Sequence, residues 1–320
     1  MLSRRFLRIK VLHAIYAFQQ EGPENISAGE KQLMVSLDKL YELYIHFFSL
    51  MLELRDFAHR RMEENRQKYL PTADDLDPNL RFLENKFLQQ LADNRDLKRR
   101  IASYKINWVE EEEIIRKFYN RMRETEAYQE YMNKEKVNYS DEKNMIAKVV
   151  LLLFSESELL RSFFEEKNIY WTNDFDIAVM MVDKTISGYK EKSDEYTALP
   201  SLLKDEHFED GSEDLQFVKI LYRKTLINSK EFDKVISERA ANWELDRIAL
   251  MDTILIKMAI TELVEFPSIP IKVSLNEYIE LAKEYSSAKS KIFINGVLDK
   301  LIVDYKEQGI IKKAGRGLME

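Results

Sequence analysis

Apolar residues recur along this chain at helical spacing. Leu7, Val11, Ile15 and Phe18 stand at i, i+4, i+8 and i+11, one stripe of a first helix. Ser3 is placed to cap that helix, which runs to about Gln20 before Glu21-Gly22-Pro23 ends it. Leu33, Leu37, Leu40, Leu43, Phe47, Leu50 and Leu54 carry the period through residues 31–69, and Pro71 stops it. Asp77-Pro78-Asn79 is a further break. The pattern then predicts helices over 108–132, from a Ser140 cap to about 167, and over 174–190. Pro200 and the polar run 206–214 read as a linker, after which Phe217, Leu221, Leu226 and Phe232 carry a helix to about 239. Residues 246–266 form another, broken by Pro267-Ser268-Ile269-Pro270. Ser274-Leu275-Asn276-Glu277 has the form of a capping box, with Ser274 as N-cap and Glu277 at N3. Ser290 opens the last helix, which Gly309 closes. No short-period repeat is evident, so no solenoid is expected.

Composition agrees with this pattern. Only 8 Gly and 6 Pro punctuate 320 residues, too few for many short strands, and the expected fold is all-α. Cysteine is absent, which excludes disulfides and thiolate chemistry. The four histidines, His13, His46, His59 and His207, lack metal-ligand spacing, so neither metal nor cofactor is expected. No wholly apolar run is longer than that at 149–154, far short of the ~20 residues that cross a bilayer. The basic, apolar N-terminus has the outline of a signal peptide. Arg8, Lys10 and His13 interrupt it, however, and no small-residue cleavage site follows, so a mature helix in a cytoplasmic protein is expected, with no membrane partner.

The net charge of −7 hides an uneven distribution. The first twenty residues hold Arg4, Arg5, Arg8 and Lys10 without an acid, and Lys312, Lys313 and Arg316 follow Gly309. Acids such as Glu110–Glu113 gather in the middle, where a solvated helix face is the plain reading.

A C-terminal set of residues has a specific order. Trp243-x3-Arg247-x4-Asp252 precedes Ile254-Leu255 and Ala259-x2-Glu262-Leu263. Then come Ile269-Pro270, Val273, Asn276-Glu277, Glu280-x-Ala282-Lys283 and Ser290-x2-Phe293-Ile294-Asn295-Gly296-Val297-Leu298-Asp299. This arrangement resembles the C-terminal half of the NusB family of antitermination factors. Arg4-Arg5-x2-Arg8-x6-Ile15-Tyr16 resembles the family's arginine-rich first helix, and 217–236 the helix before the tryptophan, with Asp233 in place of a familiar acid. Lys224 replaces a usual small residue there, and Lys257 stands where arginine is frequent. The resemblance covers 1–20 and about 215–306. It implies a discontinuous N-terminal bundle (1–20 and 196–239), a C-terminal bundle (240–306) and a basic tail (307–320), with 21–195 as a helical insertion of unknown role. It further implies recognition of single-stranded boxA-like RNA in ribosomal RNA leader transcripts, together with a NusE-type small-subunit ribosomal protein in a transcribing polymerase complex. Family members differ in self-association, so oligomeric state stays open.

The residues also argue independently of the family. Arg4, Arg5 and Arg8 lie in the first two turns of a helix, the unfavourable end for cations by roughly 0.3–1 kcal/mol each. Arg4 and Arg8 are repelling i, i+4 neighbours. A bound phosphate reverses both penalties; a solvated basic start, or pairing with the acidic middle, is the alternative. Gly296 sits inside the last helix, where Gly costs roughly 1 kcal/mol relative to Ala, so either a neighbouring helix or an RNA backbone should approach it. Asn295 has the donor and acceptor to read a base edge, or else to tie down a helix start such as that of Ser274. Phe293 is a candidate to stack on an unpaired base, with a core position as the commoner alternative. Lys289, Lys291 and Lys300 could supply phosphate contacts. Trp243, Arg247, Asp252, Glu262, Ser274 and Glu277 read as architecture, Arg247 with Asp252 or Glu262 fixing helix geometry.

Two rival functions remain. Some RNA cytosine methyltransferases carry a NusB-like domain, but they need a glycine-rich cofactor loop and a cysteine nucleophile, and this chain has neither, so no enzyme is expected. A helical scaffold that binds only proteins is the second, and the basic first helix argues against it.

Overall fold

The computed structural model describes residues 2–21, 25–203, 212–239, 249–287 and 289–318. Among them are fifteen α-helices and no strand. In chain order these are α1 (Arg4–Glu21), α2 (Ile26–Arg66), α3 (Ala73–Leu76), α4 (Lys86–Asp93) and α5 (Arg95–Tyr104). There follow α6 (Glu112–Glu124), α7 (Glu126–Asn133), α8 (Tyr139–Val149), α9 (Glu158–Lys167) and α10 (Phe175–Gly188). The chain continues with α11 (Glu213–Ile227), α12 (Ser229–Arg239), α13 (Leu250–Glu265), α14 (Ile271–Tyr285) and α15 (Ser290–Glu307). No described helix is long and apolar enough to cross a membrane.

The chain divides into two compact units, residues 1–37 with 201–320, and residues 38–200. The division falls later than the expected boundary after residue 20. The physical reason is local: the start of α2 buries Leu33, and Glu30 pairs with Arg223 of α11. The first turns of α2 therefore pack with the terminal helices.

α2 and α10 stand close to where the period placed them. In the second unit, shorter helices replace those expected over 108–132 and 140–167, because polar caps interrupt the apolar period. Thr125 accepts from the Tyr128 N–H and splits the predicted 108–132 helix into α6 and α7. Asn138, two residues before the expected Ser140, caps α8 in a reciprocal box with Asp141. A π-helical turn at Val150–Phe154 shifts the register, so Leu151 and Leu152 emerge half-exposed from the apolar run. Ser157 then starts α9 afresh. The core is aromatic: Phe47 stacks on Phe154 at 5.3 Å, and the Phe164 and Phe175 rings meet Phe47 edge-on. His46 lies among Trp108, Phe164 and Trp171 as a core ring, its Nδ1 2.9 Å from the Glu42 carbonyl.

In the first unit, α13 is the central helix. Of its sixteen residues eleven are buried, and it packs against α1, α11, α12, α14 and α15. The predicted helix over 215–239 is two helices, α11 and α12, meeting at Asn228. Lys224 reaches outward to Glu265 at 3.3 Å, so a lysine in place of a small residue leaves the packing intact. Buried Lys257 donates to Ser229 and pairs with Asp233, each at 2.7 Å, fastening α13 to α12.

Candidate nucleic-acid interface

Ser3 Oγ accepts from the Phe6 N–H at 3.3 Å, as a cap should, and starts α1 with three arginines in its first two turns. Each arginine is met by carboxylates from another helix, which removes the dipole and repulsion penalties without an anion. Arg4 pairs with Glu213, lies 3.4 Å from Asp214, and covers the Phe217 ring with its guanidinium 4.6 Å from the centroid. Arg5 is half-exposed and grips Glu277 with two hydrogen bonds of 2.9 and 2.8 Å. Hydrogen bonding from Arg5 is the leading reason that the Glu277 carboxyl sits below the usual range.

Arg8 is 2 % exposed and makes a bidentate pair with Glu262, both bonds 2.7 Å. The same carboxylate accepts from Ser274 Oγ at 2.7 Å and from the Tyr278 hydroxyl at 3.1 Å. Burial disfavours the charge on Arg8, yet the hydrogen bonds and charge of Glu262 outweigh it and raise its pKa above the ordinary arginine value. Burial beside Glu262 pushes the Tyr278 hydroxyl well up, so it stays protonated and donates. This four-residue network joins α1, α13 and α14.

Several expectations are corrected by these positions. Ser274 does not cap a helix: α13 ends at Glu265 and Pro270 takes the N-cap position of α14, whose first turn contains Ser274, and its hydroxyl is committed to Glu262. Glu277 is accordingly an arginine partner rather than the reciprocal arm of a cap. Arg8 and Lys10, expected at an RNA surface, are both buried, with Lys10 Nζ 3.4 Å from the Ser36 carbonyl. Phe293 is 4 % exposed and belongs to the core, so its ring offers no face to a base. Trp243 and Arg247, with His207, lie outside the described residues. Glu262 serves Arg8, and Asp252 accepts from Ser286 at the end of α14.

Among the described candidates, Arg5 and one face of α15 remain open to solvent. Lys289, Lys291, Asp299 and Lys300 are exposed. Ile292, Gly296, Asp299 and Val303 follow one another at i, i+4, i+7 and i+11, and Ile292 and Val303 are 62 % and 55 % exposed. Among the described residues a Cβ added at Gly296 would meet nothing within 4 Å, so no described helix explains this glycine. Asn295 donates to Asp299 at 2.8 Å along the same helix and, among the described residues, ties down no other helix start. Sequence patterning missed the two exposed apolar residues, because Ile292 and Val303 look like core positions in an amphipathic count.

A cleft of about 960 Å³ opens beside the start of α1, walled by Arg4, Arg5, Arg8 and Arg316 with Glu213 and Glu277. Arg4, Arg5 and Arg8 are balanced by the carboxylates that hold them, so Arg316 is the charge in the cleft without an ion pair among the described residues. Ile269, Pro270 and Val273 give it an apolar side. Arg316 was legible only as part of a basic tail; its place in the cleft depends on the fold.

The model of the NusB family matches residues 176–303. This chain carries a NusB family domain. Over 103 residues it is 47 % identical to the transcription antitermination protein NusB of Salinibacter ruber, which is 32 % of this chain and 64 % of that protein. Over 104 residues it is 40 % identical to the protein of the same name from Chloroherpeton thalassium, 32 % of this chain and 49 % of that one. The chain thus spans about half to two-thirds of the length of these NusB relatives. No solved structure matches it.

Proposed function

We propose that this chain is a transcription antitermination factor that binds single-stranded boxA-like RNA together with a NusE-type small-subunit ribosomal protein, in a transcribing polymerase complex. The observation that carries the proposal is the 47 % identity to a transcription antitermination protein NusB. Two physical features support it. Gly296 is a helix-interior glycine with no described residue against it, flanked by Lys289, Lys291, Lys300 and the amide of Asn295. Such a residue is disfavoured in a helix unless something must approach the backbone. The second feature is the arginine-lined cleft, where half-exposed Arg5 can contact a phosphate while still held by its carboxylate.

The ion pairs of Arg4, Arg5 and Arg8 favour a second reading, a scaffold that binds proteins alone. Readthrough of a terminator placed downstream of a boxA-like leader, with purified polymerase and a NusE-type protein, tests the proposal. Readthrough should rise on adding the full chain and fall when boxA is scrambled. Equal readthrough with both leaders would support the scaffold.

A further inference from the structure

The segment after α15 is folded back onto the first unit. Gly309 takes a φ of +66°, and the Ile310 N–H returns to the Tyr305 carbonyl at 2.9 Å, so the helix ends in a reversal that suits glycine. The returning strand of chain is then fastened to the loop between α13 and α14. Ile311 is buried, the Ala314 N–H donates to the Pro267 carbonyl at 3.0 Å, and Lys313 Nζ donates to the Phe266 carbonyl at 3.1 Å. Gly317 lies so close to that loop that a Cβ would overlap the Pro267 carbonyl oxygen. Between these anchors, exposed Arg316 is turned into the cleft that Arg4, Arg5 and Arg8 also line. Among the described residues Arg316 makes no ion pair, whereas each of the other three arginines is held by a carboxylate.

We infer that residues 310–318 are a docked strap whose purpose is to set Arg316 in the cleft as a phosphate contact for single-stranded RNA. The inference rests on the RNA-binding reading above and adds a specific contact to it. An arginine already paired contributes little net charge to an incoming phosphate, while an unpaired one contributes a full charge and two parallel donors. The strap positions that charge because Gly317 seats on Pro267. The apolar wall of Ile269, Pro270 and Val273 opposite gives bases a surface to lie against.

The test uses the full chain and a fluorescein-labelled single-stranded boxA-like RNA, followed by anisotropy across a range of salt. Arg316→Glu should weaken binding at low salt and flatten the log–log salt slope by about 0.7, one single-strand phosphate contact. Lys312→Glu changes the net charge equally but lies outside the cleft, and should leave the slope unchanged. Gly317→Ala keeps Arg316 but unseats the strap, and should reproduce the Arg316→Glu loss; Arg316→Lys should restore most of the slope. If Arg316→Glu and Lys312→Glu behave alike, or Gly317→Ala binds as the unaltered chain does, the strap inference is overturned while RNA binding stands. If the unaltered chain binds no RNA, both readings fall.

Discussion

Arg8 is the residue where fold and function compete most directly, and its removal distinguishes them. Arg8→Ala would leave the Glu262 carboxylate buried at 0 % exposure with two of its four donors gone. Breaking one side of a buried pair costs about 3–5 kcal/mol, a large part of the ~5–15 kcal/mol that holds a typical domain together. Arg5→Ala removes a pair of similar geometry at a half-exposed site, where the cost is about 0–1 kcal/mol. Removing both members, as Arg8→Met with Glu262→Leu, should cost less than the two single changes added, because no charge is left unpaired, although Ser274 and Tyr278 lose their acceptor. Urea unfolding followed by far-ultraviolet circular dichroism gives the magnitudes. Hydrogen exchange in peptides from α1, α13 and α14 assigns the loss to the first unit. Arg8→Ala and Arg5→Ala agreeing to within ~1 kcal/mol would refute the structural role of the network.

Three further outcomes are expected. Burial, with Lys10 nearby, lowers His13 to about 4, and burial lowers His46 to about 4, against 6.5 for the free side chain. Both are neutral in the fold, so stability is complete above about pH 6.5 and declines as pH falls toward 4, by up to ~1.4 kcal/mol per pH unit for each histidine; urea midpoints at two pH values measure the slope, which His46→Phe should reduce. Gly296→Ala meets no described neighbour and should raise the urea midpoint by the equivalent of up to ~1 kcal/mol while weakening RNA binding, and a gain in stability without loss of binding would remove Gly296 from the interface. Gly29→Ala drives a Cβ into the Tyr222 hydroxyl and should destabilise the first unit by ~1–3 kcal/mol, read from thermal melts.

Much of the fold could be read from local pattern. The Leu7–Phe18 stripe, the Ser3 cap and the Gly309 stop each depend on residues within a few positions, and each stands where spacing placed it. Short helices such as α4 and α5 escaped, because their caps, Asn85 and Asn94, are buried asparagines in a stretch without a long apolar period. The site was less legible, for a different reason. Arg4, Arg5 and Arg8 find their partners at Glu213, Glu277 and Glu262, more than two hundred positions away, so a run of arginines without local acids looked free when it was paired. Ser274 satisfied the capping-box pattern while its hydroxyl went to a carboxylate on another helix. Phe293 takes the core position that stood as the commoner alternative to stacking, and its neighbour Ile292 faces solvent, a choice set by helix rotation that adjacent residues cannot reveal.

Anisotropy titration of the unaltered chain with boxA-like RNA and a scrambled RNA of the same composition, each with and without a NusE-type ribosomal protein, tests the central claim most directly. Tighter binding of the boxA-like strand, enhanced by the ribosomal protein and weakened by salt, is the predicted result. Equal affinity for both strands in every combination would contradict it.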